Sequence, residues 1–282
     1  MRRTSWFRSR LLSLTVAVSM LSGCTLLDDE PPPGPPPAAS REIRVFDFAD
    51  AEWFDASVSR TVRLKDGTAT RGDDDAIGPM EGGGSWKLEG TPQFADADGD
   101  GDEDAAAALR TSGGQSSNVF WYVWLWQDGT AQQLRRPIAS TIRCSRPIEA
   151  VNAVTGGFEI HAFLFQFGRD NCAGGGAIPI VYVAGVRDGW PVRIRPQYGP
   201  IDTCDPHDLV VTLRPSGLVQ LRVDSDERSP VVEPAGRYDS VLVNELAVSP
   251  YLTPQMRGEW VLALAVRGEE RICGWAHVDQ VL

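Results

Sequence analysis

The pairs Asp66-Gly67, Asp128-Gly129 and Asp188-Gly189 each close a run of strand-forming residues, and they constrain this chain more than any other feature. The runs are Thr61-Val62-Arg63-Leu64-Lys65, Val119 to Trp126, and Val181 to Val186, the last followed beyond its turn by Val192-Arg193-Ile194-Arg195. Asp and Gly both tolerate positive φ, so an Asp-Gly pair between such runs marks a tight hairpin. Phe158 to Phe165 after Gly156-Gly157, Val210 to Leu213, Val219 to Val223 and Trp260 to Val266 continue the pattern. No amphipathic helix longer than three turns is evident. Nine Trp, 28 Gly and 20 Pro agree with strands and turns rather than a helical bundle. The fold class expected is all-β: mainly antiparallel sheets with few short helices.

The aromatic run Phe120 to Trp126 is apolar on both faces, as a central strand is. The preceding run, Asp104 to Leu109, carries only small side chains before its leucine, and large rings fill a layer well beside methyl groups. A core role is favoured over an exposed platform for sugars or peptides.

The first forty residues carry a different signal. Arg2, Arg3, Arg8 and Arg10 precede the apolar run Leu11 to Leu21, which is too short for a stable span and has the length of a signal-peptide core. It ends in Leu21-Ser22-Gly23-Cys24: an aliphatic residue, two small ones, then cysteine. This resembles the lipobox of bacterial lipoproteins. The resemblance implies cleavage after Gly23 and lipidation of Cys24, so that residues 1–23 form a signal peptide and the mature chain faces away from the cytoplasm, held to a membrane by lipid. Thr25 after the cysteine would not favour inner-membrane retention, which gives an outer-membrane location where the source has two membranes. Residues 24–40 contain Pro31-Pro32-Pro33-Gly34-Pro35-Pro36-Pro37, a stiff polyproline stalk.

The formal net charge is −11. Residues 1–23 hold four arginines and no acid, so the remainder carries roughly −15. Such a balance repels phosphate backbones and disfavours nucleic acid as a partner. Partners consistent with the leader are a membrane, through the anchor, and cell-wall glycan, peptide or another envelope protein. About 240 residues remain for folding, assigned to a β region at 41–205 and a C-terminal β region at 206–282.

Phe94 to Asp104 holds the sharpest chemistry: Asp96, Asp98 and Asp100 alternate, Gly101 follows, and Asp102 and Asp104 complete the run. Alternating carboxylates wrapped into a tight loop suit Ca²⁺, a hard cation that tolerates irregular oxygen geometry. Ala107 occupies the twelfth position, where an EF-hand needs Glu, and a small-residue strand follows. The pattern D-x-D-x-D-G-x-x-D before an apolar strand resembles the calcium loops of FG-GAP and VCBS-type repeats. That resemblance implies carboxylate ligands from Asp96, Asp98, Asp100 and Asp104 and a backbone carbonyl from Asp102. Only one copy is found, so the loop is expected to brace a single sheet. A solvated acidic turn without metal is the alternative.

With Cys24 lipidated, Cys144, Cys172, Cys204 and Cys273 remain, an even number in an exported chain, which suggests two disulfides. Spacing does not decide among the three pairings. Cys144–Cys172 with Cys204–Cys273 is preferred. No C-x-x-C occurs.

Leu221-Arg222-Val223 and, near the chain end, Gly274-Trp275-Ala276-His277-Val278 resemble the first and last segments of bacterial SH3-like domains. The resemblance implies a small barrel for cell-wall peptide or protein, although Asp224-Ser225-Asp226-Glu227-Arg228 replaces the family's usual segment. The alternative is that these strands complete the main sheet. Of the histidines, His161 reads as a core residue, and His207 reads as a turn residue. No nucleophile elbow, metallohydrolase helix or phosphate loop is present. The function expected is that of a calcium-braced envelope lipoprotein acting in binding or architecture. A cell-envelope glycan hydrolase is the alternative, because paired carboxylates leave no local signature.

Overall fold

The structure is a computed structural model describing residues 40–71, 84–113, 116–142, 144–166, 168–249 and 258–282. Cys24, the expected signal peptide and the proline run lie outside the described residues. The fold is mostly β, and every strand pairing is antiparallel.

The central layer is a sheet of β3 (Thr68–Thr70), β4 (Ser85–Ala95), β5 (Asp104–Gly113), β6 (Ser116–Gln127) and β7 (Thr130–Gln133), with β8 (Ala139–Thr141) also paired to β6. Its register sets rings against methyl groups: Ala105 lies opposite Trp124, Ala107 opposite Tyr122 and Leu109 opposite Phe120. Tyr122, Val123, Trp124 and Leu125 are all buried, because side chains of successive residues enter two different cores.

One of these cores is closed by the N-terminal segment. A short 3-10 turn (Glu42–Val45) and a two-stranded ribbon of β1 (Glu52–Asp55) and β2 (Arg60–Arg63) lay Ile43, Phe48, Trp53 and Leu64 over Tyr122 and Trp124. Trp53 is fully buried and meets Trp124 edge-on at 4.9 Å, while its indole Nε1 donates to Phe48 O at 2.9 Å. Such edge-to-face pairs add to plain area burial.

The opposite core lies against a second sheet, ordered β12 (Trp190–Arg195), β11 (Ile178–Arg187), β10 (Gly157–Leu164) and β9 (Ala150–Val154). Phe158, Ile160 and Ala184 from this sheet pack on Ala106, Val123 and Leu125. The central sheet is thus covered on both faces, which explains its apolar runs.

A third sheet, β13 (Val211–Leu213), β14 (Ser240–Val243), β15 (Trp260–Arg267) and β16 (Glu270–His277), carries a separate core of Val241, Val261, Ala263 and Ala276 beneath Val219, Leu221 and Tyr238. Val219 to Val223 reads as a strand in the sequence. Here it forms only isolated bridges, of Val219 to Gly236 and of Arg222 to Val231 and Trp275. Its alternate residues are nevertheless buried, so the apolar pattern reports burial rather than a continuous ladder.

Both cysteine pairs expected from the sequence are formed, Cys144 with Cys172 and Cys204 with Cys273. The first joins segments flanking β9 and β10. The second fastens the chain that leaves β12 to β16.

Candidate functional site

The acidic loop spans the turn from β4 to β5. Gly99 and Gly101 take φ of 85° and 98°, values that favour glycine. The carboxylates are fixed by backbone amides rather than by cationic side chains. Asp96 accepts from Gly99 N at 2.7 Å and Gly101 N at 3.2 Å, and Asp98 accepts from Asp100 N at 3.1 Å. Asp100 accepts from Asp102 N at 2.8 Å. At the foot of β5, Asp104 is completely buried and accepts from Ala97 N at 2.9 Å and Trp126 N at 3.0 Å. Carboxylate oxygens of Asp96, Asp98 and Asp104 lie within 4.8 Å of one another.

This crowding is electrostatically costly. Burial first, then the charges of Asp98 and Asp100, push the Asp104 carboxyl up to about 7, against the pull of its two amide donors. Asp100 is raised too, by partial burial and then by Asp98, Asp102 and Asp96. Glu103 behaves differently, for it points to Arg44 and Arg41 and is held below the usual carboxylate range.

The five aspartates singled out by sequence therefore divide. Asp96, Asp98 and Asp104 converge and could hold a divalent cation. Asp100 and Asp102 are not part of that trio. The Asp102 side chain instead accepts Ser40 N at 2.9 Å, tying the first described residue to the loop. Nothing in the local sequence marks that 62-residue contact.

A feature that sequence reasoning missed is a cleft of about 360 Å³ where β8, β10, β11 and the C-terminal region meet. Two carboxylates line it, Asp202 and Asp224, with Arg136, Arg146 and Tyr182. Arg136 Nε lies 2.6 Å from Asp224 Oδ2, yet burial outweighs that cation and raises the Asp224 carboxyl. Asp202 accepts from Trp275 Nε1 at 3.1 Å. The Tyr182 hydroxyl donates to Ile138 O at 2.8 Å.

The histidines lie elsewhere. His161, read as a core residue, is half-exposed, with Nε2 2.8 Å from Glu159 Oε1. His207 is exposed in its turn, 2.9 Å from Arg169 Nη1. No protein-family model matches the chain, and neither curated proteins nor solved structures give a match.

Proposed function

We propose that this chain is an envelope lipoprotein, anchored by lipid on Cys24, whose β region is braced by one Ca²⁺ and acts in binding or envelope architecture. The leader supports the anchor, since charge, apolar length and the Leu21-Ser22-Gly23-Cys24 box agree. The observation that carries the brace is the convergence of Asp96, Asp98 and Asp104 within 4.8 Å. Like charges at that separation repel unless a cation offsets them. Asp96, Asp98 and Asp104 would hold the ion, with Asp100 and the Asp102 carbonyl as further oxygen donors. With that many protein ligands the ion's role is structural: it would lock the β4–β5 turn.

The anchor and the brace are tested separately. In the native host, Cys24→Ala should abolish palmitate labelling and release the product from the membrane fraction; retained label and unchanged fractionation would defeat the anchor. For the brace, a calcium chelator should lower the melting temperature, and calorimetry should record calcium uptake. Coincident melting curves without uptake would leave the loop a turn.

A second reading, a glycan hydrolase, is favoured by one observation: the cleft lined by Asp202 and Asp224, with the latter raised by burial as a general acid would be. Turnover of labelled cell wall that is lost in Asp224→Asn would establish it. Absence of turnover by the intact protein would remove it.

A further inference from the structure

Beside the cleft runs an open groove of about 590 Å³, built where four segments distant in sequence converge: the β1–β2 turn, the stretch after β7, the β11–β12 hairpin and the acidic turn near residue 226. Its charged lining residues are Arg135, Arg136, Arg228 and a single carboxylate, Asp226. Arg136 also pairs with Asp224 at 2.6 Å, so in a chain of formal charge −11 the groove keeps a small positive excess, centred on Arg135.

Two aromatic rings back the guanidinium groups. Arg135 sits over Phe54 at 5.0 Å, and Arg136 over Trp190 at 5.5 Å. The Phe54 side is rigid, because Gln133 pairs with both backbone groups of Phe54: its Oε1 accepts Phe54 N at 2.7 Å and its Nε2 donates to Phe54 O at 3.0 Å. Asp226 orients Arg228 through two hydrogen bonds, of 3.1 Å from Nε and 2.7 Å from Nη2, which leaves Nη1 without a partner among the described residues. Arg135 forms no ion pair among the described residues. The groove therefore offers planar donors with spare capacity beside aromatic surface.

We propose that this groove binds an anionic glycan, a saccharide chain bearing carboxylates or phosphates, with Arg135, Arg136 and Arg228 on its charges and the ring surface of Phe54 and Trp190 that the guanidiniums leave uncovered against its C–H groups. Guanidinium forks match carboxylate and phosphate oxygens in pairs, and aromatic faces cover the C–H surface of a sugar. The inference rests on the binding reading above and names its ligand.

The test uses the full chain in detergent with calcium present, and three immobilised polymers: polygalacturonate, phosphomannan and neutral dextran. The native chain should bind an anionic polymer and not dextran. Polygalacturonate alone assigns carboxylate as the recognised group, and phosphomannan alone assigns phosphate. The exposed pair Arg135→Gln with Arg228→Gln should weaken that binding about tenfold or more. An equally charged control, Arg214→Gln with Arg237→Gln, removes two exposed arginines outside the groove and should leave binding unchanged. Should the groove pair alter melting, Arg135→Lys with Arg228→Lys keeps the charge and should still weaken binding. Equal binding by the groove variants, or equal loss in the control, overturns the inference. Binding to dextran without preference for charge also overturns it but leaves the binding reading standing. If neither these polymers nor cell-wall peptides are retained, both fall.

Discussion

Asp104 accepts the backbone amide of Trp126 at 3.0 Å, so the last carboxylate of the acidic loop is also the pin between the foot of β5 and the end of β6. The same group is pushed from 3.8 up to about 7 by burial and by its acidic neighbours. A carboxyl raised on folding binds its proton more tightly in the folded state. Its contribution is complete below about pH 4 and is lost as pH rises through about 7. Without calcium that loss is on the order of 4 kcal/mol at most. Glu89 beside Arg110 and Glu103 beside Arg44 are lowered, and they act in the opposite direction. The expected result is therefore a difference: in chelator, the melting temperature of the native chain falls relative to Asp104→Asn between pH 4 and pH 7. Saturating calcium, which favours the ionised form, should reverse that slope. Parallel pH profiles in chelator would refute the raised group.

Asp55 is a second buried carboxylate, and its role is structural. It accepts Trp86 Nε1 at 2.7 Å, Thr111 Oγ1 at 2.9 Å and Ser57 N at 2.8 Å. These bonds join the N-terminal ribbon to the central sheet. Asp55→Ala would leave buried donors on Trp86 and Thr111 without an acceptor, at a cost of about 2–5 kcal/mol in denaturant melts. Adding Thr111→Val removes one orphan and should recover part of that loss. A double variant no better than the single one would show that Thr111 draws nothing from Asp55.

The disulfide between Cys204 and Cys273 closes a separation of 69 residues. It fastens the segment after β12 to the C-terminal sheet, which otherwise meets the first region through contacts such as Arg136 with Asp224 and Trp275 with Asp202. In the chain-entropy account, a loop of that size is worth about 4 kcal/mol. Replacing both cysteines with alanine should therefore lower stability by about that amount in urea titrations. A change below about 1 kcal/mol would mean that the denatured chain is not restrained by this link.

The parts of this fold that were legible in the sequence are those set by neighbouring residues. Asp66, Asp128 and Asp188 adopt φ of 50°, 50° and 51°, and their glycines 76°, 73° and 76°, as the Asp-Gly pairs imply. The small-against-large packing of Ala105 and Ala107 with Trp124 and Tyr122 was readable for the same reason, since composition alone fixed which strand was thick and which was thin. Long-range choices were not readable. Asp102 spends its carboxylate on Ser40, His161 lies at a half-exposed position beside Glu159, and Val219 to Val223 buries its apolar face without a continuous ladder. The Asp202–Asp224 cleft and the arginine groove join segments whose proximity only the tertiary pairing creates.

Gly157 shows how closely the second sheet is packed at its turn. The residue opens β10 with φ of 148°, and a Cβ built there would lie 2.0 Å from Ala184 O on the neighbouring strand. The obstacle is backbone, and Ala184 is itself fully buried against the central sheet, so it has no direction in which to yield. Gly157→Ala must therefore either twist the β9–β10 hairpin or part β10 from β11 at Phe158 and Ala184, which lie opposite each other. Either distortion should cost more than about 3 kcal/mol, in the range reserved for backbone strain and core disruption. Gly156→Ala is the control. Its φ of 81° carries strain, but its nearest neighbour is the flexible Ile194 Cδ1 at 3.7 Å, so the expected cost is about 1–2 kcal/mol. Equal stability of the two variants would mean that conformational strain alone governs this turn, with no contribution from the close approach of β10 to β11.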